Sequence, residues 1–325
     1  MLAVLLSTLV MLASPTPTVI AVEVELPDAK PVPAVQVFPL PYDQASFQHD
    51  GRELTRYHAA SSLRRPFWYP IAGPAGHGLT RMGHPRDPNT HSHHNSVWIS
   101  HQDVGGVDFW ADHGKDNGQI VQRWVQQFED GDDGAWMLSL NAWQDAQGKV
   151  LMNEWRRCGV APLGAEDWLM LIDLQLEAPS GGTVTLGQTP FGLIGVRMAK
   201  TIGVHDGGGL IRNSQRQVNE GEVFRKPARW VDYSGPVANG IRGGITLMDH
   251  PNNPGHPTPF HVRGDGWMGA CLTLSRPLTV ESGRPLRLSY GLWVHAGVPQ
   301  SQIVEDHWQE FIRRPSTQQA SLGAR

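Results

Sequence analysis

WLMLIDLQLE, Trp168–Glu177, decides the fold class. Trp168, Met170, Ile172, Leu174 and Leu176 fall on one face, and Asp173, Gln175 and Glu177 fall on the other. That period of two is the side-chain geometry of a β-strand. Working outward, residues 136–143 read as another strand ending at the turn-like Gln147-Gly148, and residues 150–157 return as its hairpin partner. Shorter strands are read at 96–101, 183–187, 243–248, 270–274 and 286–294, with Glu281-Ser282-Gly283-Arg284 as the last turn. Residues 47–57 read as one more short strand. The proline-punctuated segment 23–41 suits an extended lead-in or an edge strand.

Many short strands separated by turn signals predict an all-β protein, a large antiparallel β-sandwich. Helix is scarce. One is expected over 302–313, with Ser301 as its N-cap, Glu305 in its first turn, and Val304, Trp308, Phe311 and Ile312 as its buried stripe. Pro315 stops it, and 315–325 is expected to be a frayed tail. No internal repeat and no linker divides the chain, so residues 22–314 are expected to form a single domain.

Composition narrows the function classes. Of 325 residues, 40% are hydrophobic, enough for a packed core. Charged residues make up 18% and the net charge is -4, which leaves no basic patch for nucleic acid. Residues 1–21 read as a signal peptide: the apolar run 2–13 is too short to span a bilayer, and Val19-Ile20-Ala21 suits cleavage. A periplasmic or secreted protein is therefore expected. No later segment approaches the apolar length of a membrane span. Cys158 and Cys271 could form one long-range disulfide or stay as buried thiols.

The chemistry is concentrated in residues 73–110, GPAGHGLTRMGHPRDPNTHSHHNSVWISHQDVGGVDFW. Six histidines (His77, His84, His91, His93, His94 and His101) lie there with Arg81, Asp87, Asp108, Trp98 and Trp110. Imidazoles titrate near neutrality, bind metals and carry protons, so this density points to a pocket. On a strand, His91 and His93 would share a face and could hold a divalent metal. The alternative is that these rings hydrogen-bond a substrate or one another. The cupin pattern would require a glutamate a few residues on, where this chain has Val97 and Trp98.

Asp249-His250-Pro251-Asn252-Asn253 follows a strand, a place where sheet proteins root binding loops, although an Asx-type turn has the same composition. Trp230-Val231-Asp232-Tyr233 and His261-Val262-Arg263-Gly264 set aromatic and charged groups among glycines. Arg197 ends a strand too glycine-rich for plain core, which implies that something approaches its backbone closely. The candidate proton carriers are His91, His93, His94 and His250. Arg81, Trp110, Arg197, Trp230, Asp232, Asn253, His261 and Arg263 are the candidate binding residues. Walker, G-x-S-x-G and H-E-x-x-H motifs are absent.

Thr80-Arg81, His91-Ser92-His93-His94, Gly106-Val107-Asp108-Phe109-Trp110, Phe191-Gly192 with Arg197, Trp230-Val231-Asp232-Tyr233, Asp249-His250-Pro251 with Asn253, and His261-Val262-Arg263 occur in one order. In that order they resemble the uncharacterised bacterial family DUF6807, also labelled PmoA-like. The resemblance covers residues 65–294. Two positions depart from the family pattern: Thr90 stands where an aspartate is usual, and Phe260 where a tryptophan is common. The first removes a carboxylate beside His91.

The label invokes a subunit of a membrane monooxygenase, and a chain without a later spanning segment does not fit it. What the resemblance implies is a supersandwich similar to galactose mutarotase, encoded among sugar-degrading genes. Three functions follow. The first is a carbohydrate-active enzyme (an epimerase, lyase or hydrolase) acting on a sugar or keto-sugar, as a small-molecule or oligosaccharide ligand, by histidine acid–base chemistry and needing no cofactor. The second is a non-catalytic glycan-binding protein. The third is a metal-dependent oxygenase or hydrolase built on His91 and His93. Paired glycosidase carboxylates cannot be singled out; Glu154 and Asp173 are merely available.

Overall fold

The alternating runs become strands. In the computed structural model, which describes residues 31–83 and 91–314, they fall in two large sheets whose named pairings are all antiparallel. In chain order the first strands are β1 (Val35–Leu40), β2 (Gln44–His49), β3 (Arg52–His58), β4 (Phe67–Ile71) and β5 (Val97–His101). A run of long strands follows: β6 (Gln119–Glu129), β7 (Ala135–Gln144), β8 (Val150–Pro162) and β9 (Trp168–Glu177). Then come β10 (Thr183–Leu186), β11 (Gly192–Arg197), β12 (Leu210–Asn213), β13 (Lys226–Pro227) and β14 (Trp230–Ala238). The last are β15 (Ile241–Asp249), β16 (Pro259–Arg263), β17 (Trp267–Cys271), β18 (Leu278–Glu281) and β19 (Leu286–Ala296).

The nine-stranded sheet runs β1-β2-β3-β4-β5-β11-β17-β16-β13, and the eight-stranded sheet runs β12-β14-β15-β19-β9-β8-β7-β6. β10 and β18 form a separate pair. One apolar core draws Val35, Tyr57, Ile99 and Met268 from the first sheet and Met137, Ile172, Leu247 and Leu292 from the second. The sheets therefore pack face to face, a β-sandwich-like arrangement. The described residues from Pro33 onward form one compact unit. The proposed signal peptide and tail lie outside the described residues.

Local physics explains several details. Asp50 and Gly51, with φ of 49° and 73°, make the two-residue turn joining β2 to β3. That turn needs positive φ at both positions, so Asp-Gly is a natural occupant. The segment read as one strand over 47–57 is thus a hairpin. β1, in the proline-punctuated lead-in, is indeed an edge strand. The C-terminal helix, Ser301–Arg313, buries Val304, Trp308 and Phe311 against Leu169, Leu171, Trp230, Met248 and Trp293 on the outer face of the eight-stranded sheet. Ser301 is its first residue rather than its cap, Gln300 takes the cap position without a side-chain bond, and Glu305 lies beyond the first turn. Glu305 instead accepts hydrogen bonds from Arg229 Nη2 and Trp230 Nε1, both at 2.9 Å.

Cys158 and Cys271 are both buried and free. Between the sheets, Glu154 and Arg156 form a fully buried ion pair. Trp143 Nε1 also donates to Glu154 at 2.7 Å, and the Arg156 guanidinium lies 5.3 Å from the Trp68 ring. This carboxylate is structural and not available for catalysis. A buried pair broken on one side leaves an uncompensated charge. Arg156→Met alone should therefore lower unfolding free energy by about 3–5 kcal/mol, and Glu154→Leu with Arg156→Met should recover most of that loss. Urea denaturation of the two variants checks this.

Candidate functional site

The outer face of the nine-stranded sheet carries an aromatic bed. Antiparallel register puts His261, Gly269, Gly195, Trp98 and Phe67 in one row across β16, β17, β11, β5 and β4. Successive residues of a strand face opposite ways, so a single row shares a face. A Cβ at Gly195 would come within 2.6 Å of Trp98 and 2.8 Å of Trp267. This is the close backbone approach that the glycine-rich strand implied: the two indoles lie over the glycine, 5.5 Å apart and 24° from parallel. Trp110 packs on both, at 5.3 Å from Trp98 and 5.6 Å from Trp267.

A cleft of about 410 Å³ opens above this bed. Its histidine wall is His91, His93 and His94, on a turn in which His94 N donates to His91 O at 3.1 Å. Their rings pack on one another at 4.5–5.8 Å. His94 is 7% exposed and lies nearly parallel to Trp98 and Trp267, as part of the bed. The lining continues with His261, Arg263, Asp265 and Trp267 from β16, β17 and the turn between them, and with Arg197 from β11. Phe191 and Gln102 close one end, and Asp108, Trp110 and Ala111 form the remaining side. Asp108 fixes that side by accepting from Trp110 N at 2.6 Å and Ala111 N at 3.1 Å.

Charges in the cleft are held in pairs. Arg197, fully buried, donates to both carboxylate oxygens of Asp265 at 2.9 and 3.4 Å. Arg263 donates to Glu220 at 2.8 Å. Arg65 anchors the histidine turn from below: it donates to the carbonyls of His93, Phe109 and Trp110 and to Asn95 Oδ1, and pairs with Asp112 at 2.9 Å. Arg81 stands behind Arg197, donating to the carbonyls of Met198 and Asp265, each at 2.9 Å. Burial, followed by repulsion from Arg197, pulls Arg81 down to about 10. His93 is held down to about 4, first by burial and then by the positive charge of Arg65. Burial also takes His261 down to about 4, against the hydrogen bond from its ring to the Pro190 carbonyl.

Several expected site residues are elsewhere. His250 packs edge-on against Phe311 of the C-terminal helix at 5.5 Å, and its Nδ1 accepts from Asn252 N. Asn253 bonds Asp249 and both backbone groups of Ser289. Asp249 also accepts from His256 and Thr258 N, so the Asp-His-Pro-Asn-Asn cluster pins its own loop to β19. Trp230 lies beneath the C-terminal helix. Asp232 is buried in the eight-stranded sheet with His295, Ser234 and Arg212. None of these residues lines the cleft.

The divalent metal expected on His91 and His93 is also corrected. The pair sits on a turn rather than a strand, and among the described residues no group of three or more His, Cys, Asp or Glu side chains is placed to hold a metal ion. Sequence reasoning missed Gln102, Phe191, Asp265 and Trp267 as wall residues. For the last two a signal existed: Arg263-Gly264-Asp265-Gly266-Trp267 is a strand end, a turn and a strand start beside His261.

Comparison with known proteins adds a family and little else. A family model described as "Family of unknown function (DUF6807)" matches residues 44–309. No curated protein matches. Among solved structures, a "Putative kojibiose phosphorylase from human microbiome" aligns with a TM-score of 0.36 and 8% identity over 87% of this chain. The chain covers 37% of that protein's length.

His93, His101 and His261 are all depressed from 6.5 to about 4, so the unfolded chain takes up their protons first. The stability they contribute is complete above about pH 6.5 and is lost as pH falls toward 4. Thermal midpoints should therefore drop progressively through that window. In His101→Gln, which removes the most buried of the three, the slope should be shallower even if the midpoint itself is lower.

Proposed function

We propose that this chain, which belongs to the DUF6807 family, is a carbohydrate-active enzyme that binds a sugar or keto-sugar in the cleft and moves protons on it with histidine side chains. The observation that carries this reading is one cleft holding three kinds of group. Trp110, Trp267 and Phe191 offer apolar plates, Arg197 with Asp265 offers a planar donor–acceptor pair, and His93 and His261 are imidazoles kept neutral at ordinary pH. Aromatic plates suit the C–H faces of a sugar ring, and paired polar groups suit its hydroxyls. The cleft volume falls within the usual range of small-molecule sites, about 300–1,000 Å³.

In this reading His93, with His91 beside it in the lining, starts as a proton acceptor. Taking a proton makes it a strong acid that readily returns it, as an epimerase or lyase requires. Arg197 and Arg263 hold ligand oxygens, Trp110 and Trp267 fix the ring, and Arg81 supports Arg197 from behind. His250, Trp230, Asp232 and Asn253 have no place in the chemistry. A supersandwich of the galactose mutarotase kind is the fold relationship that this reading favours, and residues 1–21 point to a periplasmic or secreted protein. For that placement, the native protein should begin near Val22 by mass spectrometry; an intact Met1 on cytosolic protein would end the idea.

Second in line is non-catalytic glycan binding, favoured by one observation: a base with a pKa near 4 is weak at neutral pH. Turnover on a panel of sugars and keto-sugars separates the two. For the enzyme, His93→Ala should lower turnover by about 10²–10⁴ while leaving affinity nearly unchanged. Trp110→Ala should weaken binding by about 1 kcal/mol, the scale of one aromatic contact. Tight binding with no conversion of any panel member would favour the binding protein instead.

A further inference from the structure

We infer that the cleft selects a neutral, hydroxyl-bearing ligand over an acidic one, and that Nε2 of His261 is the atom that reads a ligand hydroxyl. The inference rests on the carbohydrate reading above and narrows it to a substrate class. His261 is 2% exposed on β16, with its ring 5.4 Å from Phe191, 5.0 Å from Phe224 and 5.8 Å from Trp267. Its Nδ1 lies 3.4 Å from the Pro190 carbonyl oxygen. A carbonyl can only accept, so Nδ1 carries the hydrogen, and in a neutral ring the lone pair is then on Nε2.

Nε2 is buried and has no hydrogen-bond partner among the described residues. Buried acceptors are normally satisfied, and the residue that carries this one lines the cleft. Only a donor can meet it. The Cys271 thiol also donates to the Pro190 carbonyl, at 3.0 Å, so that oxygen acts as acceptor on two sides.

The charges point the same way. Each guanidinium lining the cleft already faces a carboxylate: Arg197 with Asp265, and Arg263 with Glu220. Beneath the histidine turn Arg65 faces Asp112, while Asp108 adds a further negative group to the wall. An acidic ligand would therefore enter beside Asp108 and Asp265 and meet a lone pair at His261. A hydroxyl suits every position, since it donates to Nε2 or a carboxylate and accepts from a guanidinium.

The experiment is calorimetry at neutral pH on the full chain, with methyl glycosides of neutral hexoses and, in parallel, the corresponding uronates. At least one neutral glycoside should bind, and its uronate should bind at least roughly tenfold more weakly, the scale of one hydrogen bond. His261→Asn keeps an amide N–H near the Nδ1 position but has no acceptor at Nε2, and should lose a similar factor for the neutral sugar. His261→Gln, whose amide can present an oxygen near Nε2, should recover part of it. Nitrogen-15 spectra of the wild-type protein should show His261 Nε2 unprotonated and shifted by the sugar. This readout decides the matter even if the variants do not fold. A uronate preference, an Asn variant that binds like wild type, or a protonated Nε2 would overturn this inference and leave the carbohydrate reading standing. Absence of binding by both series would sink both.

Discussion

A buried guanidinium is the constraint on which the site depends. Arg65 is 1% exposed, and a charge so placed is tolerated only when its hydrogens are met. The chain meets them with carbonyls of His93, Phe109 and Trp110, the Asn95 amide oxygen and the Asp112 carboxylate. Those acceptors belong to the histidine turn and to the loop that carries Asp108 and Trp110. Neither segment is regular structure, yet both are held to one side chain just ahead of β4. The geometry of the cleft's histidine side is thus set by an arginine that does not line the cleft.

The other half of the site is positioned by the sheet. Arg197, His261, Arg263 and Trp267 come from three adjacent strands, and antiparallel register fixes their spacing without any loop. Glycines at 195 and 269 leave the surface low enough for indoles to lie flat on it. A rigid bed beneath a polar rim is a sound base for a binding site, because the groups that face a ligand are ordered before it arrives. His94 shows how closely bed and rim are joined, since it is both a neighbour of His93 and a plate stacked with Trp98 and Trp267.

How much of this was legible depended on whether a residue's role is local. Alternation announced β7, β8 and β9, since each buries one face in the core. β6 was missed because QIVQRWVQQFE is a polar edge strand with two register irregularities, which erase a period of two. β14 was read as a polar cluster because Asp232 satisfies its charge inside the sheet through His295 and Ser234. The Asp249 loop misled for the same reason: composition cannot say whether polar groups are waiting for a ligand or are already bonded to their own backbone. The H-x-H pair misled differently, since its metal geometry presumed a strand and the chain turns there. By contrast, His91, His93 and His94, Trp110, Arg197, and His261 with Arg263 do line the cleft, while His101 of the same histidine-rich stretch is buried against Thr273.

Gly195 has a genetic consequence. Every single-base change of a glycine codon that alters the amino acid installs a side chain, and at this position any side chain begins with a carbon that meets both Trp98 and Trp267. One-step mutation therefore offers no gentle variation of the floor at that point. At that point the bed changes without a clash only when glycine and indole are replaced together.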